Sequence, residues 1–165
     1  MNGSFEAGRS FPSIWSTDSW NVGAIFSWDT AQKYTGNRSI KITLLSPNDA
    51  RFIQTVPVQP NTNYRLSGWI KTEGVAHSTE VNDAGANFSI LEDYNSYTTS
   101  LTGTNGWTYR ALSINSGSRT TITVAARLGF YSGTTTGTAW FDDIKLEAIS
   151  PPVTQNKFYM PLINK

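Results

Sequence analysis

Val, Ile, Thr, Tyr, Phe and Trp occur along this chain in short runs, which clusters of Gly, Asn, Pro and Ser separate. Runs of this kind are typical of strands, and the clusters are typical of turns. No segment has the spacing of a strong amphipathic helix, and no repeat has the period of a solenoid or propeller. The pattern predicts an all-β fold, a two-sheet antiparallel β-sandwich. The predicted strands lie at 38–46, 51–58, 63–73, 86–91, 108–115, 119–131 and 137–147.

Composition removes several classes of partner and chemistry. The chain has thirteen Lys and Arg residues and twelve Asp and Glu residues, and no block of like charge occurs. We therefore expect no nucleic-acid partner. The absence of cysteine excludes disulfides, thiolate nucleophiles and cysteine-type zinc sites. No run of about 18 apolar residues occurs, and we expect no membrane partner. The first residues contain no apolar signal segment, which indicates either a cytosolic protein or an excised module, and the abrupt start favours the module.

The strand pattern ends shortly before the Ser-Pro-Pro sequence at 150–152, which predicts a domain boundary. We therefore expect one sandwich domain at 1–149 and a Pro-flanked tail or linker at 150–165. The tail contains apolar residues that would suit either a strand docked on the domain or the start of a linker to another module. The sequence leaves both alternatives open.

Alternation within the strands predicts which side chains meet the core, because successive side chains point to opposite faces. The predicted core residues are Ile40, Ile42, Leu44, Tyr64, Leu66, Ile70, Leu112, Ile114, Ile122, Val124, Leu128 and Phe130. Two of the outward sets combine a large aromatic residue with a cation. They are Trp69 with Arg65 and Lys71, and Tyr131 with Arg127.

Motifs of known catalytic sites are missing. The sequence lacks the GxSxG, HExxH, phosphate-loop and dinucleotide glycine patterns, and its single histidine, His77, lies in a predicted loop. A glycosidase needs only two carboxylates, and the adjacent pairs are Glu92-Asp93 at a predicted strand end and Asp142-Asp143 in the last strand. Neighbours in a strand point to opposite faces, which argues against cooperation of Asp142 with Asp143, and we interpret both pairs as surface or structural carboxylates. We expect a protein that is not an enzyme, and a small glycan hydrolase or lyase using Glu92 or Asp93 is the weakest rival.

Asp142 shares strand alternation with Ile144 and Leu146, which predicts that its carboxylate points inward. A buried carboxylate needs a cation or several hydrogen-bond donors, since an unpaired buried charge costs several kcal/mol. A calcium ion with oxygen ligands would compensate it, and so would backbone amides at the end of the strand. Both alternatives stay open on the residues alone.

Five segments carry a family resemblance: NGSFEAG at 2–8, GNRSIKI at 36–42, QTVPVQPNTNYRLSGWIK at 54–71, ARLG at 126–129 and GTAWFDDI at 137–144. Their motifs resemble those of the jelly-roll carbohydrate-binding modules in the families numbered four, nine, sixteen and twenty-two. The resemblance implies a two-sheet jelly roll, secreted and extracellular, that is monomeric as a module and attached to a larger polysaccharide-degrading enzyme. It also implies a structural calcium ion, with Glu6, Asp142 and backbone oxygens of Ser4 and 33–36 as ligands.

A sugar ring has an apolar face and a rim of hydroxyls, so its site needs an exposed aromatic ring and polar side chains. We expect Trp69 and Tyr131 to stack on the sugar. Rim contacts are predicted for Arg127, Arg65, Lys71 and Gln54, end walls for Trp20 and Trp28, and packing for Trp15 and Trp140.

The predicted function is that of a non-catalytic module binding a polysaccharide of the β-glucan, mannan or xylan type in a groove on the concave face of one sheet. The alternative is a structural or protein-interaction β-sandwich without sugar binding.

Overall fold

The computed structural model describes residues 1–77 and 84–149, and these residues form strands, turns and loops. They contain no helix long and apolar enough to cross a membrane. The predicted tail at 150–165 lies outside the described residues. The strands are β1 Ser16–Ser19, β2 Ile25–Asp29, β3 Ser39–Asn48, β4 Ala50–Pro57, β5 Asn63–His77, β6 Ala86–Ile90, β7 Asp93–Tyr97, β8 Gly103–Asn115, β9 Thr121–Leu128 and β10 Thr135–Ala148.

The strands form two five-stranded antiparallel sheets, which confirms the predicted β-sandwich. The first sheet has the order β1-β4-β9-β6-β7, and the second has the order β2-β3-β10-β5-β8. Consecutive strands therefore alternate between the sheets at several points, for example from β3 in the second sheet to β4 in the first. Each sheet has one face toward the core and one outer face.

All of the predicted strands are present, with ends that differ by several residues. The sequence analysis missed the short strands β1, β2 and β7, of which β1 and β7 are largely polar. The strand predicted at 108–115 begins earlier in the structure, because β8 starts at Gly103 and includes residues 104–106. Shifts in the register between β5 and β8 accommodate them within the sheet.

The core lies between the inner faces and contains the predicted aliphatic residues of β3, β5 and β9. Phenylalanines from both sheets fill its centre, and Phe88 of β6 meets Phe141 of β10 with ring centroids 5.8 Å apart. Full burial of each such side chain contributes about 1.5–3 kcal/mol. Phe130 is buried as predicted, but β9 ends before it, and its ring packs beside Tyr97 and Tyr131 outside the sandwich core.

The predicted inward direction of Asp142 is wrong, although its burial was predicted correctly. Trp140 pairs with Lys41 and Lys71 on the outer face of the second sheet, and Asp142 shares that face. An irregularity in register between Asp142 and Lys145 then shifts the alternation, and Asp143 has a φ of 54°. Because an extra residue reverses the facing of the residues after it, Ile144 is in the core while Asp142 is not.

Candidate functional site

The predicted sugar-binding residues are divided between the two outer faces. Trp69 lies on β5 in the second sheet, whereas Arg127 lies on β9 in the first, with the Tyr131 ring beside it. The sandwich separates these faces, so Trp69 and Tyr131 cannot contact one sugar chain in a single groove. The prediction of one shared site is therefore wrong, because strand alternation shows which side chains point outward but not which sheet a strand joins.

Two further predicted residues do not lie on an outer face. Gln54 shares alternation with Phe52 of the core and is 6% exposed, so its side chain faces the sandwich interior. Trp28 packs against the core, and its Nε1 donates a hydrogen bond to the Phe5 carbonyl oxygen at 2.8 Å. The rim role of Gln54 and the wall role of Trp28 do not fit these positions. The packing roles predicted for Trp15 and Trp140 are confirmed by their burial.

Asp49 is the centre of a buried ion-pair cluster on the first sheet. Its carboxylate accepts hydrogen bonds from Arg127 Nε at 2.6 Å and from Arg127 Nη2, and it forms a weaker pair with Arg51 Nη1 at 3.3 Å. Asp18 forms an ion pair with Arg51 Nη2. Asp49 and Arg127 are fully buried, and such a pair persists because its charges satisfy one another. We call Asp18, Asp49, Arg51 and Arg127 the Asp49 cluster.

The strand register extends this cluster into a polar row across four strands. Asp18 pairs with Arg51, Arg51 with Arg127, and Arg127 with Asn87. Several buried polar atoms along this face have no hydrogen-bond partner among the described residues. They are Arg51 Nε, Arg127 Nη1, Asn87 Oδ1 and Ser89 Oγ. Buried polar atoms are normally hydrogen-bonded, so these donors and acceptors are suited to water molecules held within the protein.

Exposed aromatic rings flank the Asp49 cluster. The Tyr131 ring centroid lies 4.0 Å from the Arg127 guanidinium carbon and 4.8 Å from the Tyr94 ring, and Tyr94 is 55% exposed. Trp20, which follows β1, is 67% exposed. The Tyr131 N–H donates to the Asp49 carboxylate at 2.9 Å, and the Trp20 N–H donates to the Asp49 carbonyl at 2.8 Å. Asp49 therefore fixes the backbone of an aromatic residue on each side of the polar row.

The position of Arg127 changes its predicted role. Its side chain is on the outer face, as predicted, but it is fully buried beneath Tyr131 and held by Asp49. In this arrangement Arg127 supports the Tyr131 ring through a cation–π contact and does not reach the solvent. The sequence analysis missed Tyr94 and Asp49, since neither their spacing nor their residue type distinguishes them from ordinary turn residues.

The outer face of the second sheet has its own group of aromatic rings. Tyr34 stacks on Trp69 with ring centroids 3.9 Å apart and an interplanar angle of 17°. Trp107 lies 6.0 Å from Tyr34, and Tyr109 lies 5.5 Å from Trp69. Of these four residues, only Trp69 was predicted from the sequence as a sugar-binding residue. Its neighbours Arg65 and Lys71 are outward as predicted, and Lys71 Nζ donates to Gln32 Oε1 at 2.7 Å.

The predicted calcium ligands Glu6 and Asp142 hold the loop at 33–38 from two sides. Glu6 accepts hydrogen bonds from the Asn37 and Arg38 N–H groups and from the Asn37 amide at 2.9, 3.0 and 3.2 Å. Asp142 accepts them from the N–H groups of Tyr34 at 2.8 Å, Thr35 at 3.0 Å and Asp143 at 2.7 Å. The loop turns at 36, where the residue is a glycine with φ 60° and a Cβ would lie 2.5 Å from Glu6 Oε1.

The pKa values of the two acids are shifted in opposite directions. The Asn37 N–H holds the pKa of Glu6 below its usual value, whereas burial raises the pKa of Asp142. With three donors each, the carboxylates keep about one lone-pair direction apiece, and calcium needs about six to eight oxygens. The described residues hold no group of three or more acidic, histidine or cysteine side chains suited to a metal ion. The fit to calcium is incomplete with the side chains as they stand, and the ion stays a prediction.

Ser4 is the remaining candidate ligand, and Glu92 and Asp93 are the residues of the rival enzyme prediction. Ser4 lines a cavity of about 390 Å³ beside Ile144 and Leu146. Both Glu92 oxygens accept the Thr123 N–H, and Asp93 accepts hydrogen bonds from the Asn95 N–H and the Ser96 hydroxyl within β7. His77 is the exposed last residue of β5. These local contacts are those of structural carboxylates.

No family model and no curated protein sequence matches this chain. Solved structures do match its fold. One is a family 61 carbohydrate-binding module, TmCBM61, in complex with β-1,4-galactotriose, with a TM-score of 0.58 and 19% identity over 90% of this chain and 96% of the module. Another is the C-terminal family 22 carbohydrate-binding module of Clostridium thermocellum Xyn10B, with a TM-score of 0.57 and 14% identity over 89% and 95% of the two chains.

The enzymatically active domain of tailspike protein 4 from bacteriophage CBA120 also matches, with a TM-score of 0.55 and 13% identity over 83% of this chain. This chain spans only 20% of the tailspike domain. At these identities the likeness concerns the fold. The chain has the jelly-roll sandwich fold of carbohydrate-binding modules, as the resemblance in its motifs implied.

Proposed function

We propose that this protein is a non-catalytic module that binds a polysaccharide on the outer face of its first sheet. The observation that carries the proposal is the double anchoring of Trp20 and Tyr131 on Asp49. It holds the exposed Trp20 ring and the partly buried Tyr131 ring beside a polar row in which Arg51 and Asp18 keep part of their side chains exposed. Aromatic rings beside partly exposed polar side chains match the apolar face and hydroxyl rim of a sugar.

The rings would supply most of the affinity. Covering about 100 Å² of apolar sugar surface contributes on the order of 2.5 kcal/mol per stacked ring, at about 25 cal/mol/Å². Two rings and a few hydrogen bonds, less the cost of association, give micromolar to millimolar dissociation constants. We assign stacking to Tyr94, Tyr131 and Trp20, and rim contacts to Arg51 and Asp18, which keep part of their side chains exposed.

The chemical class of the ligand follows from the same face. Arg51 and Arg127 are balanced by Asp18 and Asp49, so the row offers no net charge for an acidic polymer. A neutral polymer of the β-glucan, mannan or xylan type suits it, and the family 61 module of the same fold is described in complex with β-1,4-galactotriose. We further propose a secreted module attached to a larger enzyme, whose local concentration on the polymer the module would raise.

A protein-interaction domain is the second candidate, and one observation favours it. Val22 is 95% exposed and Leu45 is 79% exposed, close in sequence to Trp20 and to the end of β3. Exposed apolar side chains of this kind are suited to a protein partner as well. The two candidates differ in their electrophoretic mobility, since only a sugar-binding module would migrate more slowly in a gel that contains polysaccharide.

Affinity electrophoresis in gels containing soluble β-glucan, galactomannan, xylan or β-1,4-galactan tests the proposal. We expect the wild type to be retarded by at least one polymer, and the double variant Tyr94→Ala/Tyr131→Ala to lose at least tenfold in affinity for it. Tyr94→Phe is the matched control and should retain binding, because it keeps the ring. Migration of the wild type unchanged by all polymers would contradict the proposed function.

A further inference from the structure

The strongest feature that the proposed site does not use is the aromatic group on the outer face of the second sheet. We call Tyr34, Trp69, Trp107 and Tyr109 the Tyr109 patch. Tyr109 is 47% exposed and Tyr34 is 39% exposed, and Trp69 and Trp107 are partly exposed. Its rings form one continuous series of contacts, from Trp107 through Tyr34 and Trp69 to Tyr109. The core of the sandwich lies between this patch and the Asp49 cluster.

The patch is built on fixed backbone. Trp69 and Tyr109 are directly opposite each other on β5 and β8, and Asp142 is opposite Trp69 on β10. Asp142 in turn accepts the N–H groups of Tyr34 and Thr35, which holds the loop that lays the Tyr34 ring on Trp69. A surface whose rings are already in place loses little conformational entropy when a ligand covers it.

The size of the patch decides between kinds of ligand. The exposed parts of Tyr34 and Tyr109 amount to roughly 150–200 Å², taking roughly 200 Å² for a whole tyrosine. A stable protein interface covers about 800 Å² on each partner. The exposed rings are therefore far too small for a protein partner alone, and they match the apolar faces of one or two sugar rings.

We infer that the Tyr109 patch is a second stacking site for a neutral polysaccharide chain, so that one molecule binds two chains on opposite faces. The inference rests on the proposed function for the class of ligand, and it adds a separate site to it. Tyr34 and Tyr109 contact the sugar, whereas Trp69 supports both rings from below. Asp142 is a positioning residue, because it acts through the loop that carries Tyr34.

The test compares variants of the two faces on the same four polymers. Tyr34→Ala/Tyr109→Ala removes the exposed rings of the patch, and Tyr94→Ala/Tyr131→Ala removes two of the three rings assigned to stacking on the first sheet. Calorimetric titration of the wild type with an oligosaccharide of the retaining polymer should give two ligands per molecule, and each double variant should give one. The wild type should also cross-link and precipitate the polymer, and neither double variant should.

Matched controls separate stacking from folding. Tyr109→Phe keeps the ring and should keep both sites, and Ser113→Ala changes an exposed position on the same strand and should have no effect. Far-ultraviolet circular dichroism and melting curves confirm that each variant is folded.

One ligand per wild-type molecule, lost with Tyr94→Ala/Tyr131→Ala and unaffected by Tyr34→Ala/Tyr109→Ala, would overturn the second site and keep the proposed function. One ligand per molecule that is lost with Tyr34→Ala/Tyr109→Ala and unaffected by Tyr94→Ala/Tyr131→Ala would support the site at the Tyr109 patch and overturn the proposed site on the first sheet. A wild type that none of the polymers retards would overturn both.

Discussion

Asp49 and Asp142 are both completely buried carboxylates on outer faces of the sandwich, and they are compensated in different ways. Asp49 faces the guanidinium groups of Arg51 and Arg127. Asp142 faces three backbone N–H groups, and burial raises its pKa. Full charges around Asp49 offset its loss of solvation, whereas amide dipoles around Asp142 do so only in part. Equal burial therefore does not imply equal dependence of the fold on the carboxylate.

The largest expected effect in this comparison comes from Asp49→Ala. Removing one partner of a buried ion pair leaves the other charge uncompensated, which costs about 3–5 kcal/mol of unfolding free energy. Urea denaturation measures it. Asp18→Ala is the control, because Asp18 is half exposed and its ion pair with Arg51 is worth at most about 1 kcal/mol. Similar losses for both variants would show that Asp49 is no more important than a surface acid.

Calcium removal tests whether an ion adds to the compensation of Asp142. If Glu6 and Asp142 bind calcium, an excess of EDTA over the ion should lower the unfolding free energy by about 2.7 kcal/mol, for an ion held at about 100 times its dissociation constant. Thermal melting with and without EDTA measures this loss. Asp49→Asn should show the same difference as the wild type. Identical melting curves for the wild type would show that the amides satisfy both carboxylates without an ion.

A smaller loss is expected for Asp142→Asn, measured in EDTA. The variant replaces one carboxylate oxygen with an amide nitrogen, which cannot accept a hydrogen bond from the backbone N–H that it faces, and a lost buried hydrogen bond of this kind costs about 1–2 kcal/mol. Asp143→Asn is the matched control. Asp143 has a φ of 54°, a backbone conformation that asparagine tolerates, and we expect little change there. A larger loss at Asp143 than at Asp142 would assign the stability to the backbone irregularity.

The smallest expected effect is a dependence on pH with a defined sign. The pKa of Asp142 is raised above its ordinary value of 3.8, so the folded protein holds this proton at pH values where the unfolded chain has released it. The contribution of Asp142 to stability is thus most favourable below pH 3.8 and declines as the pH rises through the raised pKa. The difference in unfolding free energy between the wild type and Asp142→Asn, followed in EDTA from about pH 3.5 to about pH 7, should change in that direction. A difference that grows in favour of the wild type as the pH rises would contradict the assignment.

The strands and the core could be predicted from the sequence because alternation is a local property. Ile40, Ile42 and Leu44 form the core as expected, since each is two residues from the next. β1 and β7 could not be predicted from their polar composition, because their formation depends on pairing with β4 and β6. Long-range pairing leaves little trace in a short polar segment.

The candidate site was predictable residue by residue, but not as an assembly. Outward positions for Trp69 and Arg127 followed from alternation, but the sheet that each joins depends on connections across the whole chain. The direction of Asp142 was mistaken because the irregularity at Asp143 lies within the run that alternation treats as regular. Asp49 gave no signal, because its importance arises from arginines that are distant in sequence, such as Arg127.

The strand order has a consequence for self-association. β8 borders only β5 and is 13 residues long, whereas β1, β2 and β7, the other strands at sheet edges, have 4, 5 and 5 residues. A long edge strand presents unpaired N–H and carbonyl groups on which a strand of another molecule could add. Arg110 in the middle of β8 donates from Nε to the Thr99 carbonyl at 3.0 Å, which places both a charge and a neighbouring segment along this edge. The need for protection against strand addition is therefore greatest at the β8 edge, where Arg110 and the segment at Thr99 lie.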